Sequence, residues 1–272
     1  MQNIKSELRE IWNYRHLLQM MVTRDLKTRY QRSVLGVAWS FLQPLGMMIV
    51  MTFAFTVLNP SNIPRAHVFI LSGLLAWNFF SAAITTGTGS VVANGALVKK
   101  VYFPRILLPI SAVLSQTVNF LLALPMFVLV AVISGHPLQW TLALVPIVIL
   151  MQVMLCIGLA LLLSTLHVFY RDTQFIIDLS MLALFFLTPI WYDISTVGPR
   201  LVDLFGLKFD VGLWVRRLNP MASLVNVYQE LMYHGRVTAL DFWVRTALTS
   251  VLVLLVGFFV FRHFSARFGE EV

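Results

Sequence analysis

Two long stretches without a single charged residue constrain this chain more than any other feature. Residues 33–64 contain no Asp, Glu, Lys or Arg, and residues 106–170 contain none over 65 positions. A basic segment with four cations, residues 24–32, directly precedes the first stretch. Soluble domains carry about 25% charged residues, whereas this chain has 12% charged and 58% hydrophobic residues. The pattern predicts a cytoplasmic membrane surface followed by transmembrane helices, and it argues against a large soluble helical domain.

The apolar runs, divided by Pro, Gly and Asn, predict an all-α integral membrane protein with six transmembrane helices. Residues 106–170 are too many for one crossing of about 20 residues, and the SGHP break at residues 134–137 divides them. The predicted spans, which make residues 33–272 the transmembrane domain, are residues 36–58, 68–92, 106–133, 140–166, 175–192 and 242–261. The second half of span two, SAAITTGTGSVVANG at 81–95, is rich in small residues that permit close helix packing.

Two segments outside the spans are also expected to contact the membrane. Residues 1–32 carry apolar positions on roughly one helical face and basic positions elsewhere, which predicts a cytoplasmic amphipathic helix in the membrane interface. A solvated leader is the alternative. Residues 193–241 separate spans five and six, and their apolar pieces are too short and too punctuated to cross. We expect them to form re-entrant helices at the outer face, buried against protein.

The distribution of cations predicts the orientation of the chain. Six spans place both termini on one side of the membrane. Thirteen of the 20 Lys and Arg residues lie in the termini and in the loops after spans two and four, whereas only Arg65 lies in the short loops of the other face. Both termini are therefore predicted to be cytoplasmic. The same distribution explains the net charge of +8 without nucleic-acid binding.

The sequence lacks the motifs of several common sites. It contains no G-x-x-x-x-G-K-[ST] loop for ATP phosphates. Its six histidines are scattered without ligand spacing, so that we expect no metal and no cofactor bound by this chain. The single cysteine, Cys156, excludes an intrachain disulfide framework.

Aromatic residues in spans one and five form a candidate sugar-binding surface. Sugar rings offer apolar C–H faces that stack on aromatic planes. The alternative is an interfacial belt of Trp191 and Tyr192 with phenylalanines that face lipid. The candidate channel residues are Phe53, Phe55, Phe185, Phe186, Trp191 and Tyr192.

Three stretches occur together in this order: RDLKTRYQRSVLGVAWSFLQP at 24–44, FYRD at 169–172 followed by TPIWY at 188–192, and NPMASLVNVYQELMYHG at 219–235. With six spans, they resemble the membrane subunit of ABC transporters that export lipid-linked polysaccharides, the family of O-antigen and teichoic-acid exporters. The resemblance covers nearly the whole chain. It implies a homodimer of this subunit in the bacterial cytoplasmic (inner) membrane. It also implies two copies of a separate ABC-type ATPase that binds ATP and Mg, so that this permease chain is not itself an enzyme.

The resemblance also implies roles for the cytoplasmic residues. Residues 6–30 would form the interfacial helix, and residues 94–105 would contain the coupling helix that docks on the ATPase. Spans one and five would line the channel across the dimer. The interfacial-helix candidates are Arg24, Asp25, Arg29 and Tyr30. The coupling candidates are Asn94, Lys99, Lys100, Tyr102, Arg105, Tyr170, Arg171 and Asp172.

Two other functions remain open at the level of the sequence. An ABC-type permease of the same superfamily could export a small lipophilic drug or a lipid. An integral membrane enzyme acting on lipid-linked sugars would need a paired-acid site, and Asp193, Asp203 and Asp210 are isolated from one another. The motifs favour the transmembrane subunit of an ATP-driven exporter of a lipid-linked polysaccharide.

Overall fold

The computed structural model describes residues 12–31, 33–58, 63–193, 201–204, 207–210 and 219–272, and this part of the chain is helical apart from one short hairpin. The helices are α1 (Arg15–Tyr30), α2 (Trp39–Phe53), α3 (Ala66–Ala93), α4 (Gly95–Lys100), α5 (Leu107–Ile133), α6 (Val145–Phe169), α7 (Thr173–Leu187), α8 (Pro220–Gln229), α9 (Leu240–Phe264) and α10 (Phe268–Glu271). Short 3-10 turns lie at Gly36–Ala38, Trp140–Leu144 and Ser265–Arg267, and π turns extend α2 and α8 through Ala54–Leu58 and Glu230–His234. The antiparallel strands are β1 (Leu201–Leu204) and β2 (Leu207–Asp210), with Leu201 opposite Asp210 and Leu204 opposite Leu207.

Within the described residues, five helical segments are long and apolar enough to cross a membrane. They are Gly36–Thr56, Ala66–Ala93, Leu107–Ile133, Trp140–Phe169 and Leu240–Glu271. The prediction of a helical protein with several membrane spans is therefore confirmed. The helix α7, in predicted span five, has 15 residues and a length of about 22 Å, which is short of a hydrocarbon core of about 30 Å. The count of six spans stays a prediction.

The helix α3 lies at the centre of the bundle. It contacts α2, α5, α6, α7 and α8, and most of its side chains from Val68 to Ile84 are buried. A helix that is apolar on nearly all sides is stable only when other helices surround it. Gly87 meets α6 so closely that a Cβ built on it would lie 2.6 Å from the Ala160 Cβ. The close helix approach predicted from the small residues of 81–95 is therefore present at Gly87.

A pair of glycines brings α6 and α9 together. A Cβ built on Gly158 would lie 2.6 Å from the Leu254 Cα, and a Cβ built on Gly257 would overlap the Gly158 carbonyl oxygen. Backbone therefore lies against backbone at this crossing. Lipid is as apolar as the side chains, so close van der Waals packing of this kind is a main force that holds membrane helices together.

A second, smaller core lies at the end of the bundle that carries α1, α4 and α10, which we call the basic end. It contains Met21 of α1, Val98 of α4, Phe103, Phe261 of α9 and Phe268 of α10. The Phe268 ring is completely buried and meets the Phe261 ring edge to face at 5.1 Å. The cytoplasmic helices predicted from the sequence are thus packed on the bundle.

Parts of two predicted segments lie outside the described residues. They are residues 1–11 and 32 of the interfacial segment and residues 194–200, 205–206 and 211–218 of the segment predicted to be re-entrant. In the second segment, residues 201–204 and 207–210 pair as a hairpin, so that the expectation of helix is wrong at these positions. Apolar and charged residues alternate in LKFD at 207–210, which is the period of a strand. The helical part of this segment is α8.

Candidate functional site

Five of the six aromatic channel candidates lie together where α2 and α7 end. Phe55, in the π turn after α2, stacks on Trp191 with ring centroids 5.2 Å apart and planes at 9°. Phe185 and Phe186 meet the Trp191 ring at 5.0 and 5.7 Å, and Tyr192 meets it at 6.2 Å. Aromatic pairs add about 0.5–1.5 kcal/mol each beyond the area they bury. Trp191 is therefore the centre of an aromatic cluster that joins α2 to α7.

Phe53 does not belong to this cluster. Its side chain is 56% exposed, and it makes no ring contact with the described residues. Phe53 and Phe55 are two residues apart, which corresponds to a rotation of about 200° around a helix. Only one of the two rings can face Trp191.

A cavity of about 1150 Å³ lies between α1, α2, α3 and α5. It extends along α3 from Leu75 to Asn94, a distance of about 28 Å at 1.5 Å per residue. Trp77 lines the cavity and also meets Phe185 of the aromatic cluster at 5.7 Å. The cavity and the aromatic cluster therefore adjoin each other.

Many polar side chains line this cavity, although most of its surface and the helices around it are apolar. Its amide and hydroxyl side chains are Thr28, Tyr30, Ser40, Gln43, Asn78, Ser81, Thr85, Thr86, Ser90, Asn94, Ser111, Ser115, Gln116, Asn119 and Gln174. Polar groups inside a membrane protein are costly unless they face a partner or a polar cavity. These lining side chains were not predicted from the sequence, because the small residues at 81–95 were interpreted as a packing surface. The sequence did contain one indication of them, because Asn78, Ser81 and Thr85 are spaced by three and four residues and therefore share one face of a helix.

Two of the interfacial-helix candidates close one side of the cavity. Arg29 donates from Nη1 to Gln116 Oε1 at 2.8 Å, and Tyr30 donates to Asn119 Oδ1 at 2.6 Å. Because the Tyr30 hydroxyl has a single proton, Ser40 is the donor in the 2.5 Å bond between these two hydroxyls. The network ties α1 to α5 and to the start of α2. Gln116 and Asn119 were not predicted as site residues.

The other two interfacial-helix candidates pair with each other at the same cavity. Arg24 Nη2 lies 2.9 Å from Asp25 Oδ1 and also donates to Asn94 Oδ1 at 3.4 Å. Asn94 in turn donates to the Ser90 carbonyl oxygen at 2.8 Å. Asn94, a coupling candidate, therefore also borders the cavity.

Five of the remaining coupling candidates are exposed at the basic end. Lys99 and Lys100 form the last turn of α4, and the Tyr102 side chain after it is 91% exposed. Tyr170 and Asp172 lie in the turn between α6 and α7, where both are exposed. Exposed cations, aromatic rings and a carboxylate are groups that a partner protein can bind.

Two coupling candidates bind the C-terminal segment of the chain. The Arg105 guanidinium donates to the carbonyl oxygens of Ser265 and Ala266, the latter at 3.3 Å. Arg171 donates to the Glu271 carbonyl oxygen at 3.3 Å. The C-terminal segment therefore links the loop after α4 to the turn between α6 and α7.

Buried side chains at the two ends of α8 donate hydrogen bonds to the residues that follow α7. Gln229 Nε2 donates to the carbonyl oxygens of Pro189 and Ile190 at 2.8 and 3.3 Å. Asn219 caps α8 by accepting from two backbone N–H groups at 3.0 and 3.2 Å, and it donates to Thr188 Oγ1 at 3.0 Å. The stretches TPIWY and NPMASLVNVYQELMYHG therefore form one packed unit.

At the end of the bundle opposite the basic end, ionisable groups surround Tyr233. The Tyr233 ring stacks on His136 at 5.0 Å, and its carbonyl oxygen accepts from His136 Nε2 at 3.1 Å, so that Nε2 carries the proton. Burial lowers the pKa of His136; the bond to the carbonyl opposes this effect and the charge of Arg65 adds to it. Burial raises the pKa of Glu230 nearby. Among the described residues, no group of three His, Cys, Asp or Glu side chains is arranged to hold a metal ion.

The amino-acid sequence matches the family of ABC-2 type transporters over residues 16–233. The chain belongs to this family. Five apolar helices in the described part agree with this assignment. The ABC-2 chain is therefore a multi-pass permease subunit of the inner membrane.

Known relatives match this ABC-2 chain over nearly its whole length. The O-antigen export system permease protein RfbA of Myxococcus xanthus is 33% identical over 265 residues, which cover 97% of this chain and 98% of the relative. The protein of the same name from Klebsiella pneumoniae is 30% identical over 256 residues, 93% of this chain and 94% of the relative. The polysialic acid transport protein KpsM of Escherichia coli is 20% identical over 249 residues, 90% of this chain and 92% of the relative.

Proposed function

We propose that this chain is the transmembrane subunit of an ATP-driven exporter that moves a lipid-linked polysaccharide across the cytoplasmic membrane. The observation that carries the proposal is the amide- and hydroxyl-lined cavity that adjoins the Trp191 cluster. Sugar hydroxyls exchange hydrogen bonds with amides and hydroxyls, and sugar C–H faces stack on aromatic rings. A path for a lipophilic drug or lipid would not require these polar side chains. The names of the relatives, which describe O-antigen export and polysialic acid transport, support the same substrate class.

The proposed topology has six crossings with both termini in the cytoplasm. The fifth crossing consists of α7 together with residues 188–192. The helix α8 enters the membrane from the outer face without crossing it and is shielded from lipid by α3 and α6. Its contacts with these helices and its buried side chains support this arrangement. The cations of α1 and α4 support a cytoplasmic location for the basic end.

The transport path is proposed to combine the amide- and hydroxyl-lined cavity with the space between two copies of the chain. Apolar side chains of α2 and α7 are exposed in the single chain, among them Ile49, Val50, Phe53, Phe175, Leu179 and Phe186. In a homodimer these two helices would face the partner copy and line the path between the copies. Phe53 and Phe186 would then contribute aromatic surface to the path, together with the rest of the Trp191 cluster.

Two copies of a separate ABC-type ATPase supply the free energy in this proposal. They bind ATP and Mg and dock on the basic end through Lys99, Lys100, Tyr102, Tyr170 and Asp172. When ATP binding closes the ATPases, α4 moves with them, and the spans shift as rigid bodies between two packings of similar energy. The substrate passes along protein, so that its hydroxyls are not exposed to lipid.

The first test is to purify the tagged chain in mild detergent from cells that also express the genes around its own. We expect a stoichiometric ABC-type ATPase to copurify and its ATP turnover to be lost when its phosphate-loop lysine is changed. We also expect deletion of the permease gene to remove the surface polysaccharide. A chain that purifies without an ATPase, in a strain whose surface polysaccharide survives the deletion, would contradict the proposal.

The docking site has a test of its own in the charges of α4. Lys99→Glu/Lys100→Glu is expected to lower the copurified ATPase and the ATP turnover at least tenfold, because the surface charge is reversed where the partner binds. Arg236→Glu, a reversal at the other end of the bundle, is the control and should leave both unchanged. Equal copurification of ATPase with the α4 variant and with wild type would rule out this docking site.

A further inference from the structure

The helix α3 presents three polar side chains to the cavity on a single face. Asn78, Ser81 and Thr85 all line the cavity, and spacings of three and four residues place them one above another along the helix. They extend over about 10 Å of the helix at 1.5 Å per residue. Each is partly buried, within a helix whose other sides are packed against α5, α6 and α8.

These three side chains differ from the other polar groups of the cavity because they are partly buried and also have no partner in the described chain. The bonded groups are Thr28 to Arg24 O, Thr86 to Ala82 O, Ser90 to Gly87 O, Ser111 to Leu108 O, Ser115 to Ser111 O, and Gln174 to Asp178. Ser40, Asn94, Gln116 and Asn119 belong to the networks described above. Gln43 of α2 also has no partner among the described residues, but it is exposed. A Ser or Thr hydroxyl in a helix usually donates a hydrogen bond to a backbone carbonyl of the same helix. Among the described residues, Ser81 and Thr85 do not make this bond.

We propose that Asn78, Ser81 and Thr85 form a rail that hydrogen-bonds the hydroxyls of a neutral sugar unit inside the cavity. This inference rests on the proposed export of a polysaccharide and identifies three residues that would bind the polysaccharide. An amide and two hydroxyls offer both donors and acceptors without a fixed charge, which matches a sugar and does not match a lipid tail.

The surroundings of the rail offer a sugar unit a second kind of contact. Of the two cations that border the cavity, Arg24 pairs with Asp25, whereas Arg29 donates to the neutral amide of Gln116 and keeps its charge. Trp39 lines the same cavity with a side chain that is 52% exposed. Its ring offers an apolar face for sugar C–H groups. The rail and this ring together supply the two kinds of contact that a sugar unit makes.

The test replaces the polar atoms of the rail in the full permease in its host bacterium. The variant Asn78→Leu/Ser81→Ala/Thr85→Val is expected to lower surface polysaccharide at least tenfold, with lipid-linked glycan accumulating inside, at an equal amount of permease in the membrane. The control Ser72→Ala/Thr88→Val removes two hydroxyls of α3 that bond within the helix and face the core. Its export should stay within twofold of wild type.

A second pair of variants separates hydrogen bonding from packing. Thr85→Ser keeps the hydroxyl and should lose clearly less export than Thr85→Val, which keeps the volume but removes the hydroxyl and should lose export severalfold. Export by the rail variant within twofold of wild type, or equal losses in Thr85→Ser and Thr85→Val, would overturn the rail and leave the proposed function intact. Surface polysaccharide that survives deletion of the permease gene would overturn the proposed function, and the rail with it.

Discussion

At the scale of single residues, Gln229 determines how α8 is held against the end of α7. Its amide donates to two backbone carbonyls and is almost completely buried. Gln229→Leu is expected to lower the free energy of unfolding by about 1–2 kcal/mol, because the Pro189 and Ile190 carbonyls lose their partner. Gln152→Leu is the matched control. Its amide nitrogen donates to Ala76 O, but its buried oxygen has no partner in the part of the chain that the structure describes, so that the loss should be smaller. Unfolding of the purified chain in detergent measures both, and equal losses would contradict this explanation.

His136 makes the end of the bundle opposite the basic end sensitive to acid. Its pKa is lowered, so the folded protein favours the neutral ring, whereas the unfolded chain takes up a proton near pH 6.5. The contribution of His136 to the free energy of unfolding is therefore fully present above about pH 6.5 and is lost as the pH falls toward the lowered pKa. The raised pKa of Glu230 acts in the opposite direction. Arg65, His67 and His234 also face His136.

The variant His136→Gln isolates this contribution because it keeps a side-chain N–H donor and removes the titration. The melting temperature of wild type should fall more than that of the variant between pH 7.5 and pH 5.5. Parallel pH profiles for the two proteins would show that His136 does not titrate in this range.

At the scale of helices, the crossing of α6 and α9 depends on the absence of side chains at Gly158 and Gly257. A Cβ at Gly158 would meet backbone atoms of Leu254, which cannot move without displacing α9. Gly158→Val is expected to cost more than about 3 kcal/mol of stability. Gly89→Ala is the control on α3, since its Cβ would meet only Gln174 Oε1 at 3.7 Å. Unfolding of both variants in the same detergent is the measurement. A Gly158→Val variant as stable as wild type would mean that the helices cross elsewhere.

At the scale of the whole molecule, α10 fixes the predicted coupling segment to the bundle. Phe268 is buried among Phe261 and Phe169, and Arg105 and Arg171 bind the backbone around it. Phe268→Ala is expected to increase hydrogen exchange across residues 95–103, because removal of a buried Phe costs about 3–5 kcal/mol. Phe259→Ala, which removes an exposed ring from α9, is the control and should leave this exchange unchanged. Unaltered exchange of residues 95–103 in the Phe268 variant would show that α10 does not hold them.

The helices of this molecule could be predicted because a membrane leaves the backbone few alternatives. Runs without charge must satisfy their own N–H and C=O groups, so that they become helices. The hairpin of residues 201–204 and 207–210 was not predicted because each of its strands is only four residues long. Apolar and charged residues alternate only in residues 207–210, which are too few positions to outweigh an expectation of helix.

The site was predictable only where its residues are close in sequence. Phe185, Phe186, Trp191 and Tyr192 cluster because they lie within eight consecutive positions, but the stack with Phe55 depends on how α2 packs. The cavity depends on partners such as Tyr30 and Asn119, which are 89 residues apart. No local pattern encodes such a pair. For the same reason the missing partners of the rail become apparent only when every hydrogen bond is known.

The stack of Phe55 on Trp191 makes the protein suitable for optical measurement of its own motion. Any movement that separates the π turn after α2 from the segment after α7 also separates these two rings, which are now nearly parallel. The chain has seven tryptophans, and a variant that retains only Trp191 would report such a movement as a change in emission wavelength and quenching. The movement could then be timed within a transport cycle without an attached dye.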